Sequence, residues 1–299
     1  MALKRDKLTT SKTQYFFYWV FIACVIVYCV LLFYPFVWAF ICSFMEQQEF
    51  FMKLGQLFPK VENFTLQNYK DALNTVVYTS NKQGLPVMFD IPSMIGNTIF
   101  MTLVRTLVGT LPPICAAYCC AKYEFFGNKF FFYYVVVFCS IPFYGGIASV
   151  FKLLNALELY DTFGGIIFLS LGGVGGFLFY YSFFRGVDWG YAEAAFIDGA
   201  NDFLVFWKIM FPQILPLLFV FFVSGFIGNW NDWMTNYMYL PSQPMIAYGV
   251  YSISTLATVN MQWTMLFAAI FLSLTVPLTL FLIFRDKILS TVYTGGLKG

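Results

Sequence analysis

Residues 185–203 read Arg185-Gly186-Val187-Asp188-Trp189-Gly190-Tyr191-Ala192-Glu193-Ala194-Ala195-Phe196-Ile197-Asp198-Gly199-Ala200-Asn201-Asp202-Phe203. The stretch lies between two long apolar runs, where a plain connector would be shorter and more polar. It reads as two short helices. Asp188 can cap the first. Asp198-Gly199 can end it, because glycine accepts the left-handed conformation at a helix C-terminus. Asn201 can cap a second helix that runs through Trp207, Lys208 and Ile209 to Pro212. Ala192, Ala195, Phe196 and Gly199 fall at i, i+3, i+4 and i+7 and share one face. That face is small and apolar, with Glu193 on its flank, and it needs a partner to bury it. The alternative is an amphipathic helix lying on lipid headgroups, although the basic face usual in such helices is missing.

Outward from this segment the chain is apolar. Of its 299 residues 60% are hydrophobic and 11% charged, against roughly 25% charged in a soluble domain. The charges cluster between long apolar runs, the pattern of a polytopic membrane protein. Runs long enough to span lie near 15–42, 93–121, 130–151, 163–184, 213–240 and 262–284. The expected fold class is all-α, with about six transmembrane helices. A first helix over 15–44 is too long for a signal-peptide core and stays in the product. Residues 45–92 form an outer loop able to fold as a small cap. A five-helix core over 93–284 carries a cytoplasmic loop at 185–212, and 1–14 and 285–299 are cytoplasmic.

Orientation follows from lysine and arginine. With the N-terminus inside, the cytoplasmic side holds eleven: Lys4, Arg5, Lys7, Lys12, Lys122, Lys129, Arg185, Lys208, Arg285, Lys287 and Lys298. The outer side holds five: Lys53, Lys60, Lys70, Lys82 and Lys152. Both termini are therefore expected in the cytoplasm. Residues 229–261 contain neither Lys nor Arg and read as an outer loop.

Several chemistries are excluded. Histidine is absent, which removes histidine base catalysis, catalytic triads and histidine–metal sites. The seven cysteines sit in or beside apolar runs without zinc spacing. No phosphate-binding G-x-x-x-x-G-K-[ST] loop occurs. A net charge of +2 with no basic stripe offers nothing to nucleic acid.

Four further features carry paired readings. Arg105, near the middle of the second run, costs about 2.5–3.5 kcal/mol if it faces lipid. It should line a pathway or an interface, or snorkel. Trp230-Asn231-Asp232-Trp233 joins rings to polar groups, as a sugar site does, or forms an interfacial aromatic belt. Gly172 and Gly176 form a G-x-x-x-G pair suited to close helix packing. Pro212 and Pro216 mark an elbow, or simply a helix start.

Glu193-Ala194-Ala195, Asp198-Gly199-Ala200, Phe206, Ile209, Pro212 and Pro216 resemble the EAA loop of ABC importer permeases. The likeness extends to Asn97-Thr98, Ala116-Ala117-Tyr118, Ile141-Pro142, Leu159-Tyr160-Asp161-Thr162, Trp230-Asn231-Asp232-Trp233, Ala268-Ala269 and the terminal Gly295-Gly296-Leu297-Lys298-Gly299. The set is most similar to the carbohydrate-uptake branch, and within it to the second, six-span permease subunit of maltose-type importers. It departs from the family at Lys122, where arginine is common.

The resemblance implies the binding-protein-dependent ABC importer permease fold and a role in moving a carbohydrate, in the first instance an oligosaccharide, with no enzymatic activity in this chain; a polyol or glycerol-phosphate-like solute is the alternative. It implies ATPase coupling through Glu193, Ala194, Ala195, Asp198, Gly199, Ala200 and Pro212. It implies a tail contact to the ATPase through Gly295, Gly296, Leu297, Lys298 and Gly299, and a substrate pathway near Arg105, Trp230, Asn231, Asp232 and Trp233. The implied partners are a second permease subunit in a heterodimer, two cytoplasmic ATPase subunits, an extracellular solute-binding protein and membrane lipid. No cofactor is expected in this chain, since ATP and Mg would be bound by the ATPase subunits.

Overall fold

A computed structural model describes residues 12–80, 84–141, 146–260 and 262–295. The expected tail contacts Gly296, Leu297, Lys298 and Gly299 lie outside the described residues, as does most of the N-terminal segment 1–14. The chain divides into two compact units, Met1–Ala72 with Leu256–Phe271 and Leu73–Thr255 with Leu272–Gly299.

In the first unit, α1 (Lys12–Cys42) has no distinct polar face, as suits a helix with most of its surface in lipid. Beyond it come α2 (Gln47–Met52) and α3 (Gln67–Asn74). Cys42, Met45 and Phe50 form a small core with Trp38, Val61, Trp263 and Phe267. The loop after α2 is tied down by the buried Glu49. Its carboxylate accepts from Lys53 Nζ at 2.9 Å and from the backbone N–H groups of Glu62 at 2.7 Å and Asn63 at 3.2 Å. Burial pushes the Glu49 carboxyl up, but the bonds from Glu62, Lys53 and Asn63 outweigh it and hold the group below its ordinary value.

The second unit opens with an antiparallel hairpin, β1 (Val77–Ser80) and β2 (Pro86–Phe89), in register from Val77 opposite Phe89 to Ser80 opposite Pro86. β-branched and aromatic side chains favour these two short strands, and the described chain is otherwise helical, as expected. Then follow α4 (Ile91–Lys122), α5 (Asn128–Ser140), α6 (Ile147–Ala156), α7 (Phe163–Leu171), α8 (Phe177–Gly186), α9 (Gly190–Ile197) and α10 (Asp202–Val205). A π-helical turn, Phe206–Met210, leads into α11 (Phe211–Trp230), followed by α12 (Trp233–Tyr239), α13 (Ile246–Asn260) and α14 (Trp263–Gly295). Helix α4 packs against α7, α8 and α11.

Among the described residues, four helices are long and apolar enough to cross a membrane: Tyr15–Cys42, Ile91–Lys122, Asp202–Trp230 and Trp263–Arg285. The runs 130–151 and 163–184 are not single helices. Helix α5 stops at Ser140, and Ile141 is extended, as a residue preceding proline should be. The other run breaks at Gly172–Gly176. Gly176 takes φ +81°, and a Cβ there would meet the Tyr180 ring at 2.8 Å. This glycine pair therefore makes a turn rather than the helix-packing motif expected from its spacing. The run 213–240 also shifts: its helix begins at Asp202 and ends at Trp230. The expected outer loop 229–261 contains α12 and α13.

Candidate functional site

Helix α9 and its turn form the first part of the site. Asp188 Oδ1 accepts the Gly190 N–H at 2.9 Å in a turn just ahead of the helix, while the N-cap position itself is Trp189, which makes no side-chain capping bond. At the end, Gly199 N–H bonds to Phe196 O at 3.0 Å and Ala200 N–H to Ala195 O at 2.9 Å. This pair of crossing bonds is a Schellman stop, and it requires the φ of +84° that Gly199 adopts. Asn201 Oδ1 then accepts the Leu204 N–H at 2.8 Å and starts α10. The Gly199 turn and the Asn201 cap are those expected from the residue types.

The face of α9 is not the one expected. Ala192 is buried, and Ala195, Phe196 and Ala200 pack with it against Tyr118, Phe184, Val205, Phe206 and Met210. The small apolar face is thus covered by this chain's own helices instead of awaiting a partner. Its small side chains let α9 lie close to the aromatic ends of α4 and α8. Lys122 Nζ donates to Val187 O, and Tyr123 OH donates to Asp202 Oδ1 at 2.7 Å. Burial pushes the Tyr123 phenol up, and its bonds to Tyr118 and Asp202 add to the rise.

The opposite side of α9 is open. Tyr191 is 59% exposed, Ile197 86% and, at the start of α10, Phe203 72%. Glu193, Ala194, Asp198 and Gly199 are exposed beside them. Ile197 was not legible as a site residue, although its position three after Ala194 and four after Glu193 places it on their side. Pro212 is exposed, and the backbone at Val205, Met210 and Phe211 stays right-handed helical. The π turn takes up the proline, and Gln213 Nε2 donates to Ile209 O at 3.0 Å. The helical backbone therefore continues from Asp202 into the apolar span without a break.

The second part is a cavity of about 580 Å³ between α4, α11 and the glycine turn, lined by Arg105, Thr106, Ser170, Tyr180, Ser224 and Asn229 among others. Arg105 Nη2 lies 2.8 Å from Asp232 Oδ2, and Asp232 Oδ1 caps α12 by accepting the Thr235 N–H at 3.0 Å. Asn229 Nδ2 donates to Thr106 Oγ1 at 3.0 Å. Arg105 Nε and Nη1 and Thr102 Oγ1 are buried without a partner among the described residues. Thr98, Thr102 and Thr106, spaced i, i+4 and i+8, are all buried, and Thr98 Oγ1 accepts the Ile246 N–H at 2.8 Å. This threonine stripe beside Arg105 was the overlooked sequence signal for a polar inner face of α4.

The aromatic run is dispersed. Trp230 is 2% exposed and stacks on Phe226, so its ring is not free for a ligand. Asn231 Nδ2 donates to Ile227 O of its own helix at 2.9 Å. Trp233 stacks on Tyr251 at 4.3 Å. Of the four, only Asp232 meets Arg105.

A family model described as "Binding-protein-dependent transport system inner membrane component" matches residues 113–290. The chain is 25% identical over 204 residues to the arabinooligosaccharides transport system permease protein AraQ of Halalkalibacterium halodurans, covering 68% of this chain and 73% of that protein. It is 28% identical over 255 residues to the maltose/maltodextrin transport system permease protein MalG of Photorhabdus laumondii, covering 82% and 84%. Its fold resembles a chain in the crystal structure of a bacterial ABC transporter involved in the import of the acidic polysaccharide alginate, with a TM-score of 0.74, 19% identity and coverage of 93% and 98%.

Proposed function

Because the chain belongs to the family of binding-protein-dependent transport system inner membrane components, we propose that it is a membrane-spanning permease subunit of an ATP-driven importer whose cargo is a carbohydrate, in the first instance an oligosaccharide. The carbohydrate assignment is supported by relatives named for arabinooligosaccharide and maltodextrin transport, each aligned over most of its own length. The chain moves solute rather than converting it, and separate ATPase subunits bind ATP and Mg.

One observation carries the mechanism. Ala192 of α9 is buried in the same core as Tyr118 of α4, Tyr180 of α8 and Ile214 of α11, and those three helices also wall the Arg105 cavity. Close-packed interiors transmit displacement, so a push on α9 reaches the cavity without a loose joint. In this reading a cytoplasmic ATPase subunit docks on Glu193, Ala194, Ile197, Asp198 and Gly199. A second ATPase subunit docks on the partner permease, which completes the pathway, and an extracellular solute-binding protein delivers the cargo. ATP-driven closure then switches the spans between inward-facing and outward-facing states. Both termini lie in the cytoplasm, and residues 295–299 reach the ATPase pair. A glycerol-phosphate cargo is not favoured, because Arg105 is already paired with Asp232.

Purification of the tagged chain after co-expression with its partner genes tests this reading. One partner permease and two ATPase copies should accompany it. Recovery of the chain alone as a stable, monodisperse species would count against the assignment.

A further inference from the structure

A second cleft lies at the end of α4 remote from α9, where the β1–β2 hairpin leads into the helix. It has a volume of about 520 Å³, within the range of small-ligand sites. Thr79 of β1, Tyr160, Asn236 and Tyr237 of α12 and Tyr248 of α13 help to line it, and no charged side chain is among its described lining residues. Two oxygens in this wall, Thr79 Oγ1 and Asn236 Oδ1, are buried and have no hydrogen-bond partner among the described residues. Asn236 is only 1% exposed. Its Nδ2 donates to Gln243 O at 3.3 Å, which commits the other end of the amide to accepting. Buried polar atoms are nearly always paired, so the Asn236 oxygen beside the cleft calls for a donor and the Thr79 hydroxyl for a donor or an acceptor.

The rings beside them narrow the ligand class. Tyr237 and Tyr248 lie nearly parallel, 5.6 Å apart with an interplanar angle of 22°, and Tyr237 is half exposed. Ring faces next to neutral acceptors suit a molecule with apolar C–H faces and many hydroxyl donors. An acyl chain or apolar peptide would leave both oxygens unpaired. An anion would meet the Asn236 carbonyl oxygen and no cation. We propose that this cleft binds a neutral saccharide unit of the imported solute, as an entry site ahead of the Arg105 cavity. Arg105 lies about 21 Å further along α4 than Ile91, at roughly 1.5 Å per residue. The inference rests on the carbohydrate reading above and adds to it a site on this subunit.

The test uses the assembled importer in lipid nanodiscs. Uptake by cells of maltotriose, arabinotriose, xylotriose, diacetylchitobiose, sorbitol and glycerol 3-phosphate first identifies the transported solute. That solute is then titrated against the nanodisc complex without the solute-binding protein. A neutral saccharide should bind saturably, and Thr79→Val, which keeps the shape and removes the hydroxyl, should weaken binding about tenfold. Tyr237→Ala should weaken it comparably, and Lys129→Gln, on the exposed remote side, should not. A transported saccharide with unchanged affinity in both cleft variants, or with no saturable binding at all, overturns the cleft assignment and leaves the carbohydrate reading standing. Transport of no saccharide but of sorbitol or glycerol 3-phosphate overturns both. If the variants weaken capture of the solute-binding protein and spare saccharide affinity, the cleft is a protein-docking surface and the inference fails.

Discussion

Arg105 and Asp232, 127 residues apart in sequence, meet at 2.8 Å and join the middle of α4 to the turn between α11 and α12. An arginine in a membrane span is costly alone; paired, it is tolerated and fixes the relative position of two helices. Its Nε and Nη1 stay unpaired and buried, so the pair still offers hydrogen-bond donors.

Breaking this pair one side at a time should therefore harm more than removing it. Loss of one partner of a buried pair costs about 3–5 kcal/mol, and less where some exposure remains, as at Asp232. Arg105→Gln and Asp232→Asn should each lower the unfolding midpoint of the purified complex by several degrees. The double variant should recover part of the loss. An additive double variant would mean the two side chains do not interact in the membrane.

The two sides of α9 should respond differently. Ala195→Leu forces volume into this chain's own core, at a cost of about 1–3 kcal/mol, and should reduce the yield of folded permease. Ile197→Ala and Glu193→Ala change the open side and should spare folding while the ATPase subunit is lost during purification. Gly199→Ala strains a left-handed position by about 1 kcal/mol or more and should show both defects. Normal ATPase retention in all three of the latter variants would remove α9 as the docking element.

Glu49 makes the 43–69 segment pH-sensitive in a defined direction. Its folded-state pKa is held below the ordinary value. The stabilisation is therefore fully present above the unfolded-state pKa, about 4.3, and is lost as pH falls through the lower folded value. Amide exchange at Glu62 and Asn63, corrected for intrinsic rates, should stay slow from neutral pH down to the carboxylate range and speed up below it. Glu49→Gln should make exchange faster near neutrality and flatten this dependence. Equal protection in the variant would mean that the carboxylate does not hold the loop.

What the sequence disclosed follows from the range of each signal. Gly199 after Asp198, and Asn201 before α10, are local patterns, and the turn they specify is present. The apolar face of α9 was equally plain, but periodicity identifies a face without naming what covers it. The neighbours were Tyr118 and Phe206, brought there by the tertiary fold. The glycines at 172–176 fit a packing motif by spacing, yet the positive φ at Gly176 makes them a turn. The Arg105–Asp232 pair spans too much sequence for any local pattern to reveal it. Helix α13 was hidden because its polar and aromatic residues lack a clean period.

The central claim is tested most directly by ATP-driven uptake in proteoliposomes. The chain, its partner permease and the ATPase subunits are reconstituted with solute-binding protein, a labelled oligosaccharide and ATP on the ATPase side. Accumulation of the oligosaccharide is expected only when ATP and binding protein are both present, and it should fall strongly with Glu193→Ala despite normal insertion. Equilibration of the oligosaccharide without ATP, or uptake indifferent to the coupling variant, would contradict the account.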